Sequence, residues 1–223
     1  MSFFQQIFGI LQKYGYVYAQ GLWGTLWISA LTIVIASVLG TIIAILKMSR
    51  VKIIKGIVNA YIEAIRGTPM LLQMYFFWLI LPRYMPFEVT DTQAIVVALI
   101  INATAYVAEV IRAGVQAVDK SQTEAALSLG TSRSDTFIKV ILPQAIKNIL
   151  PAMGNEFIIM IKETALASTF FIPELMTSFK TVQSATFLPI PALTIAGIIY
   201  FVLIFILTRG ISVAEKRMRL SER

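Results

Sequence analysis

The sequence predicts an all-α integral membrane protein, a helical bundle of five transmembrane helices in one domain over residues 1–223. Three observations predict it. Hydrophobic residues make up 57% of the 223 residues and charged residues only 14%, against about 45–50% and roughly 25% in soluble domains. Uncharged apolar runs approaching or exceeding the ~20 residues needed to cross a bilayer recur along the chain. Lys and Arg gather in alternate loops, as the positive-inside rule expects of a multi-pass protein. So apolar a chain is not intrinsically disordered. It has no Cys and no His, which removes disulfides, the usual zinc ligands, metal-site histidines and Ser–His catalysis. The net charge of +7 is therefore read against a membrane surface, and nucleic acid is not an expected partner.

The first span is the uncharged run from Tyr14 to Leu46, cleanest from Leu22 onward. Residues 1–20, with Tyr14, Tyr16 and Tyr18, read as a segment lying at the membrane interface. The run is too long, and lacks the charged start, for a signal peptide. The second span begins near Ile57 and ends at Pro82, with Glu63 and Arg66 three apart on one helical face, where they can pair. The third covers Thr92 to about Val110. The fourth, residues 144–166, is the weak one, because Lys147, Pro151, Gly154, Glu156, Lys162 and Glu163 interrupt it. A span this polar must be shielded by protein or line a wet path. The fifth lies in the uncharged stretch Thr181–Thr208, with Pro189 and Pro191 marking its start, since Pro is tolerated in a first helical turn.

Between spans 1 and 2 lie Lys47, Arg50, Lys52 and Lys55. Between spans 3 and 4 lie Arg112, Lys120, Arg133, Lys139 and Lys147. After span 5 come Arg209, Lys216, Arg217, Arg219 and Arg223. The opposite side holds only Lys13, Arg83, Lys162 and Lys180. The asymmetry predicts an outside N-terminus, an inside C-terminus and a cytoplasmic loop over residues 119–143. Deleting the fourth span would put the basic tail outside, so the charges favour five.

In that loop, Ser121-Gln122-Thr123-Glu124 has capping-box spacing. Ala125, Ala126, Leu127 and Leu129 continue a short helix with a small apolar surface, and Gly130 is placed to end it in a left-handed conformation. Ser132-Arg133-Ser134-Asp135 can cap a second helix running through Phe137 and Ile141 to Pro143. The result reads either as an ordinary amphipathic loop helix or as a rigid knob that fits a groove on a cytoplasmic partner.

Glu124-Ala125-Ala126, Gly130 and Ile141-Leu142-Pro143 resemble the EAA loop of bacterial ABC transporter permeases. Glu63-Ala64-Ile65-Arg66-Gly67-Thr68-Pro69-Met70-Leu71-Leu72-Gln73 looks like the second-span signature of the polar amino acid uptake branch, which serves histidine, arginine, glutamine, glutamate and cystine. Gly21-Leu22-Trp23-Gly24-Thr25-Leu26 and Lys162-Glu163-Thr164-Ala165-Leu166 are similar to that branch too, though many relatives carry Asp and a hydroxyl pair at the second site. The resemblance covers nearly the whole chain from Gln20. It implies a type I ABC importer permease in the bacterial cytoplasmic membrane, working by alternating access, and a coupling helix made of Glu124, Ala125, Ala126, Leu127 and Gly130. It also implies partners: two ABC ATPase subunits carrying ATP and Mg, a second permease subunit that is either identical or a close paralogue, and an extracytoplasmic amino-acid-binding protein. The chain has no G-x-x-x-x-G-K-[ST] phosphate loop, so it is expected to be no enzyme and to hold no cofactor itself.

Polar groups deep in a span are candidates for substrate contact. Glu156 and Asn102 are the first of these, with Tyr106 on the same helical face as Asn102. A carboxylate suits an ammonium group or a cationic side chain, which favours arginine, lysine or histidine among polar amino acids. Both residues can equally be packing hydrogen bonds between helices. Thr68 and Pro69 mark a break that either binds solute, hinges or only kinks the helix. Glu109 and Arg112 read as partners of Glu63 or Arg66 in an ion pair at a gate or interface. An ATP-independent channel or ion-coupled carrier of small solutes is the rival reading; it explains the spans but not the capped loop.

Overall fold

Every described segment of regular structure is helical, as the long apolar runs and the sparse Gly and Pro dictate. The computed structural model describes residues 2–220, with side chains described as far as Met218. Arg223 and the side chain of Arg219, both counted in the basic tail, lie outside that range. The helices are α1 (Phe3–Lys47), α2 (Lys52–Arg66), α3 (Met70–Tyr84), α4 (Asp91–Gln116), α5 (Lys120–Ser128), α6 (Arg133–Asp135), α7 (Leu142–Glu163), α8 (Leu175–Thr186) and α9 (Pro189–Leu220). A π-helical turn, Thr136–Ile141, joins α6 to α7, and a 3₁₀ segment, Thr164–Phe170, follows α7.

Among the described residues, three helices are long and apolar enough to cross a membrane: α1, α4 and the Pro189–Met218 part of α9. The pair α2 and α3 passes only when taken together, as a broken span or a re-entrant loop. Helix α7, at 22 residues, has the length but carries the charges that weakened it in the sequence.

Several expectations change. The interfacial segment 1–20 is not a separate element, because α1 runs unbroken through it for 45 residues. At 1.5 Å per residue that is about 67 Å, roughly twice the hydrocarbon thickness, so part of α1 extends beyond the bilayer core. The second span is two helices, parted at Gly67 (φ −88°, ψ −3°) and Pro69 (φ −62°, ψ 137°). Pro69 has no N–H to continue the ladder, and it pushes Thr68 out of helical conformation. The stretch 181–208 divides where Pro189 was expected to open the fifth span, and its first residues belong to α8. Phe187 adopts a left-handed conformation (φ 56°) and ends α8; α9 then starts at Pro189, where its missing donor costs nothing.

By internal packing the chain divides into two units. The first comprises Met1–Val34, Thr68–Ile101 and Phe157–Leu207. Its core contains Ile10, Tyr18, Leu175, Val182, Ala192, Ile195 and Ala196, and the buried Tyr18 hydroxyl donates to the Ala192 carbonyl at 2.9 Å. Gly21 and Gly24 let α1 approach the 173–178 backbone: a Cβ at Gly21 would collide with Ser178, and one at Gly24 with the Pro173 carbonyl. That proximity lets Thr25 Oγ1 accept the Leu175 N–H at 3.1 Å.

Glu174, fully buried, caps α8. Its carboxylate accepts the Thr177 N–H at 2.5 Å and the Met176 N–H at 2.8 Å, and Tyr200 Oη donates to it at 3.1 Å. Glu174→Ala would strand three part-buried donors. The expected loss is roughly 2–5 kcal/mol of unfolding free energy, read as a lower Tm of the detergent-solubilised chain. Glu174→Gln keeps one cap acceptor and is expected to lose less.

The second unit comprises Ile35–Gly67, Asn102–Glu156 and Thr208–Arg223. Ala44, Val58, Ile62, Ala105 and Ala108 form its core. Gly40 lies against Val107, Gly114 against Ile149 and Gly154 against Ile211, so small residues again set the helix spacing.

Candidate functional site

The candidate site residues of the second unit fall into two groups. The first gathers on α4 and α2. Glu109 on α4 is a hub for three cations. Arg112 Nη2 reaches Glu109 Oε2 at 2.9 Å, Arg66 Nη1 lies 3.6 Å from the same oxygen, and Lys47 Nζ bonds Oε1. The Arg66 guanidinium also stands over the Tyr106 ring, 5.3 Å from its centroid, a favourable cation–π position. The expected Glu63–Arg66 pair does not form. Glu63 is exposed and makes no ion pair among the described residues. A tertiary carboxylate that accepts three cations at once outcompetes a solvated neighbour three residues away, whose pairing is worth only about 0.2–0.5 kcal/mol.

Glu156 is half-buried on α7, and the Arg66 charge acts on it. No ion pair within 4 Å and no side-chain hydrogen bond of Glu156 occurs among the described residues. Asn102 is buried on α4 and is not without a partner. Arg66 thus relates Tyr106 and Glu109 directly, and Glu156 through the field. Thr68 and Pro69 belong to the first unit. There the Gln73 side-chain amide donates to the Thr68 carbonyl at 3.1 Å and to its hydroxyl at 2.8 Å.

The second group is the α5 finger. Its cap is Asp119 and not Ser121: Asp119 Oδ1 accepts the Ser121 N–H at 2.8 Å, and Ser121 is already inside the helix. A charged acceptor at the positive end of the helix outranks a hydroxyl. The Glu124 side chain does not reach back; it is exposed and makes no hydrogen bond among the described residues. Gly130 takes φ 83°, as its position demands. Beyond it the bend is knitted by hydroxyls. Thr131 Oγ1 donates to the Ala126 carbonyl at 2.7 Å, Thr136 Oγ1 to the Ser132 carbonyl at 2.9 Å, and Ser132 Oγ accepts the Asp135 N–H at 3.0 Å. Ala126 is buried, while Glu124, Ala125 and Leu127 are exposed and Leu129 is 86% exposed. A cleft of about 820 Å³, walled by Val115, Thr123, Leu127, Arg133 and Phe137, lies beside α5.

The bond from Ser121 holds the Asp119 carboxyl below the usual carboxylate range. A depressed folded pKa contributes stability above the unfolded value, lost as pH falls through the folded one. Asp119→Ala should therefore speed amide exchange in residues 120–128 at neutral pH. The gap to the wild type should close once the pH is below that depressed pKa.

Residues 36–220 match the family model described as binding-protein-dependent transport system inner membrane component. The chain belongs to this family. Inner membrane components similar to it include the arginine transport system permease protein ArtQ of Bacillus subtilis (strain 168), 37% identical over 90% of this chain and 91% of that one. The probable glutamine ABC transporter permease protein GlnM of the same organism is 34% identical over 92% and 94%. Among solved structures, an amino acid ABC transporter crystallised with histidines aligns with a TM-score of 0.89 at 40% identity, covering 97% of this chain and 99% of that one. The MetNI methionine ABC transporter shares the fold, with a TM-score of 0.77 at 14% identity over 91% and 96%. The chain is thus a membrane-spanning transport subunit of helical permease architecture.

Three features escaped the sequence reading. Lys47 reads in the sequence only as a loop charge, the capping-box spacing points to Ser121 and away from Asp119, and nothing in the sequence marks Glu174. An Asp two residues before a Ser at a helix start was the available signal for Asp119. For Glu174, only Gly21-x-x-Gly24 hinted at a close backbone approach.

Proposed function

We propose that this chain is the permease subunit of an ATP-driven amino acid importer in the bacterial cytoplasmic membrane, with five spans, an outside N-terminus and the α5 finger on the cytoplasmic side. The relatives named as amino acid permeases support the substrate class, and the basic loops support the orientation. The finger takes its drive from a separate ATPase subunit, with ATP and Mg held there. A binding protein delivers the solute outside, and a second permease subunit, identical or paralogous, completes the path. ATP favours one of two arrangements of the ATPase pair, and the fingers pass that preference to the spans.

The single observation that carries the specificity is the carboxylate of Glu156, half-buried in a span and without a hydrogen-bonded partner among the described residues. We assign it the cationic group of a basic amino acid, and Asn102 and Tyr106, on one face of α4 in the same unit, are further candidates for substrate contact. Arg66 has Glu109 and Tyr106 as its own anchors, so it can yield the field of Glu156 to an arriving cation. The coupling residues are Glu124, Ala125, Ala126, Leu127 and Gly130.

The test is reconstitution with the partner ATPase and the binding protein. ATP hydrolysis should rise when the binding protein is loaded with arginine, and labelled arginine should accumulate inside the vesicles. Accumulation without the ATPase would instead establish the channel or ion-coupled carrier.

A further inference from the structure

In the second unit, a pocket of about 480 Å³ opens between the end of α1, the start of α2 and the end of α4. Its walls include Lys47, Lys55, Arg112, Asn59, Gln116 and Glu63. Three cations face one carboxylate there. Behind them Glu109 engages Lys47 and Arg112 and also Arg66, so four cations stand against two carboxylates and the pocket is left positive. Lys55 has no acidic partner, and the Asn59 amide has no hydrogen bond, among the described residues. The pocket thus offers an unneutralised ammonium and an unused amide N–H pair in one place, which is the donor set for an oxyanion.

Its depth decides between oxyanions. The uncharged run Tyr14–Leu46 stops one residue before Lys47, and the uncharged run Thr92–Ala108 stops one residue before Glu109. Two independent spans therefore end at the pocket, which sets it at the edge of the hydrocarbon, the level of lipid phosphates. On α1 and α2, which wall the pocket, Ile42, Ile45, Ile53 and Ile57 are exposed, Ile53 by 76% and Ile57 by 67%, as acyl chains alongside would require.

We propose that this pocket binds the phosphodiester headgroup of an anionic phospholipid such as phosphatidylglycerol. Lys55 and Asn59 supply donors to the phosphate, and Lys47 and Arg112 supply the field. Glu63 sets an upper limit on the affinity by repulsion. The inference requires only that the chain crosses a membrane and does not depend on which solute it carries.

The experiment is native mass spectrometry of the purified transporter, offered phosphatidylglycerol and phosphatidylcholine with matched acyl chains. Phosphatidylglycerol should be retained in preference. Lys55→Gln, at an exposed side chain that leaves the core intact, should lower that preference about fivefold, the effect of one cation near a membrane surface. Glu63→Gln should raise it, and Lys13→Gln, near the other end of α1, should leave it unchanged. Equal retention of the two lipids, or a preference indifferent to Lys55→Gln, overturns the proposal. Displacement of the lipid by excess inorganic phosphate overturns it as well, and would assign the pocket to a soluble anion.

Discussion

Glu156→Gln is expected to lower uptake of arginine by roughly 10- to 100-fold while the transporter still assembles. A charge-assisted hydrogen bond contributes about 1.5–3 kcal/mol, and each 1.4 kcal/mol is tenfold. The substitution keeps the side-chain volume and one acceptor, so α7 packing has little reason to change. Loss should fall on cationic amino acids and much less on a neutral zwitterion such as glutamine, which makes the ratio of the two uptakes the decisive reading. Basal ATP hydrolysis should stay near wild type, because Glu156 lies far along the chain from the α5 finger. Unchanged arginine uptake would remove Glu156 from the path and leave it as a packing residue.

Much of the fold was legible because burial in lipid imposes a blunt requirement, and the uncharged runs that meet it read directly as α1, α4 and α9. The break at Gly67-Thr68-Pro69 was equally legible, since Pro69 lacks the donor a helix needs. The start of α9 at Pro189 was legible from its proline, but the end of α8 was not, because Phe187 in a left-handed conformation is a choice imposed by packing and unmarked in the sequence. The same contrast runs through the candidate site. Gly130 was placed correctly because only its backbone mattered. The gate pairing of Arg66 with Glu109, 43 residues away, was legible from the charges of the two spans, whereas helical spacing alone also offered Glu63, which forms no ion pair among the described residues. The capping box failed for a related reason. Its spacing was right, but the competing acceptor two residues upstream was already ionised and better placed.

Leu129→Asp is expected to uncouple ATP hydrolysis from transport. The side chain is 86% exposed at the end of α5, between an ionised cap at Asp119 and the left-handed Gly130. The finger that bears it is stiffened at both ends by side-chain hydrogen bonds, so a force applied to its tip is passed on to α7 instead of being absorbed locally. Burying one leucine in a partner's groove is worth about 1.5–3 kcal/mol, and an unpaired carboxylate in the same groove adds a desolvation penalty. The ATPase should therefore bind at least about tenfold more weakly, and hydrolysis should no longer rise with loaded binding protein. Nothing in the chain's own core touches this tip, so membrane insertion and Tm should be unaffected, whereas Ala126→Glu, at a buried position, would lower both coupling and local stability. If Leu129→Asp left stimulated hydrolysis and uptake intact, the finger would be an ordinary loop helix, and the drive would have to enter the spans elsewhere.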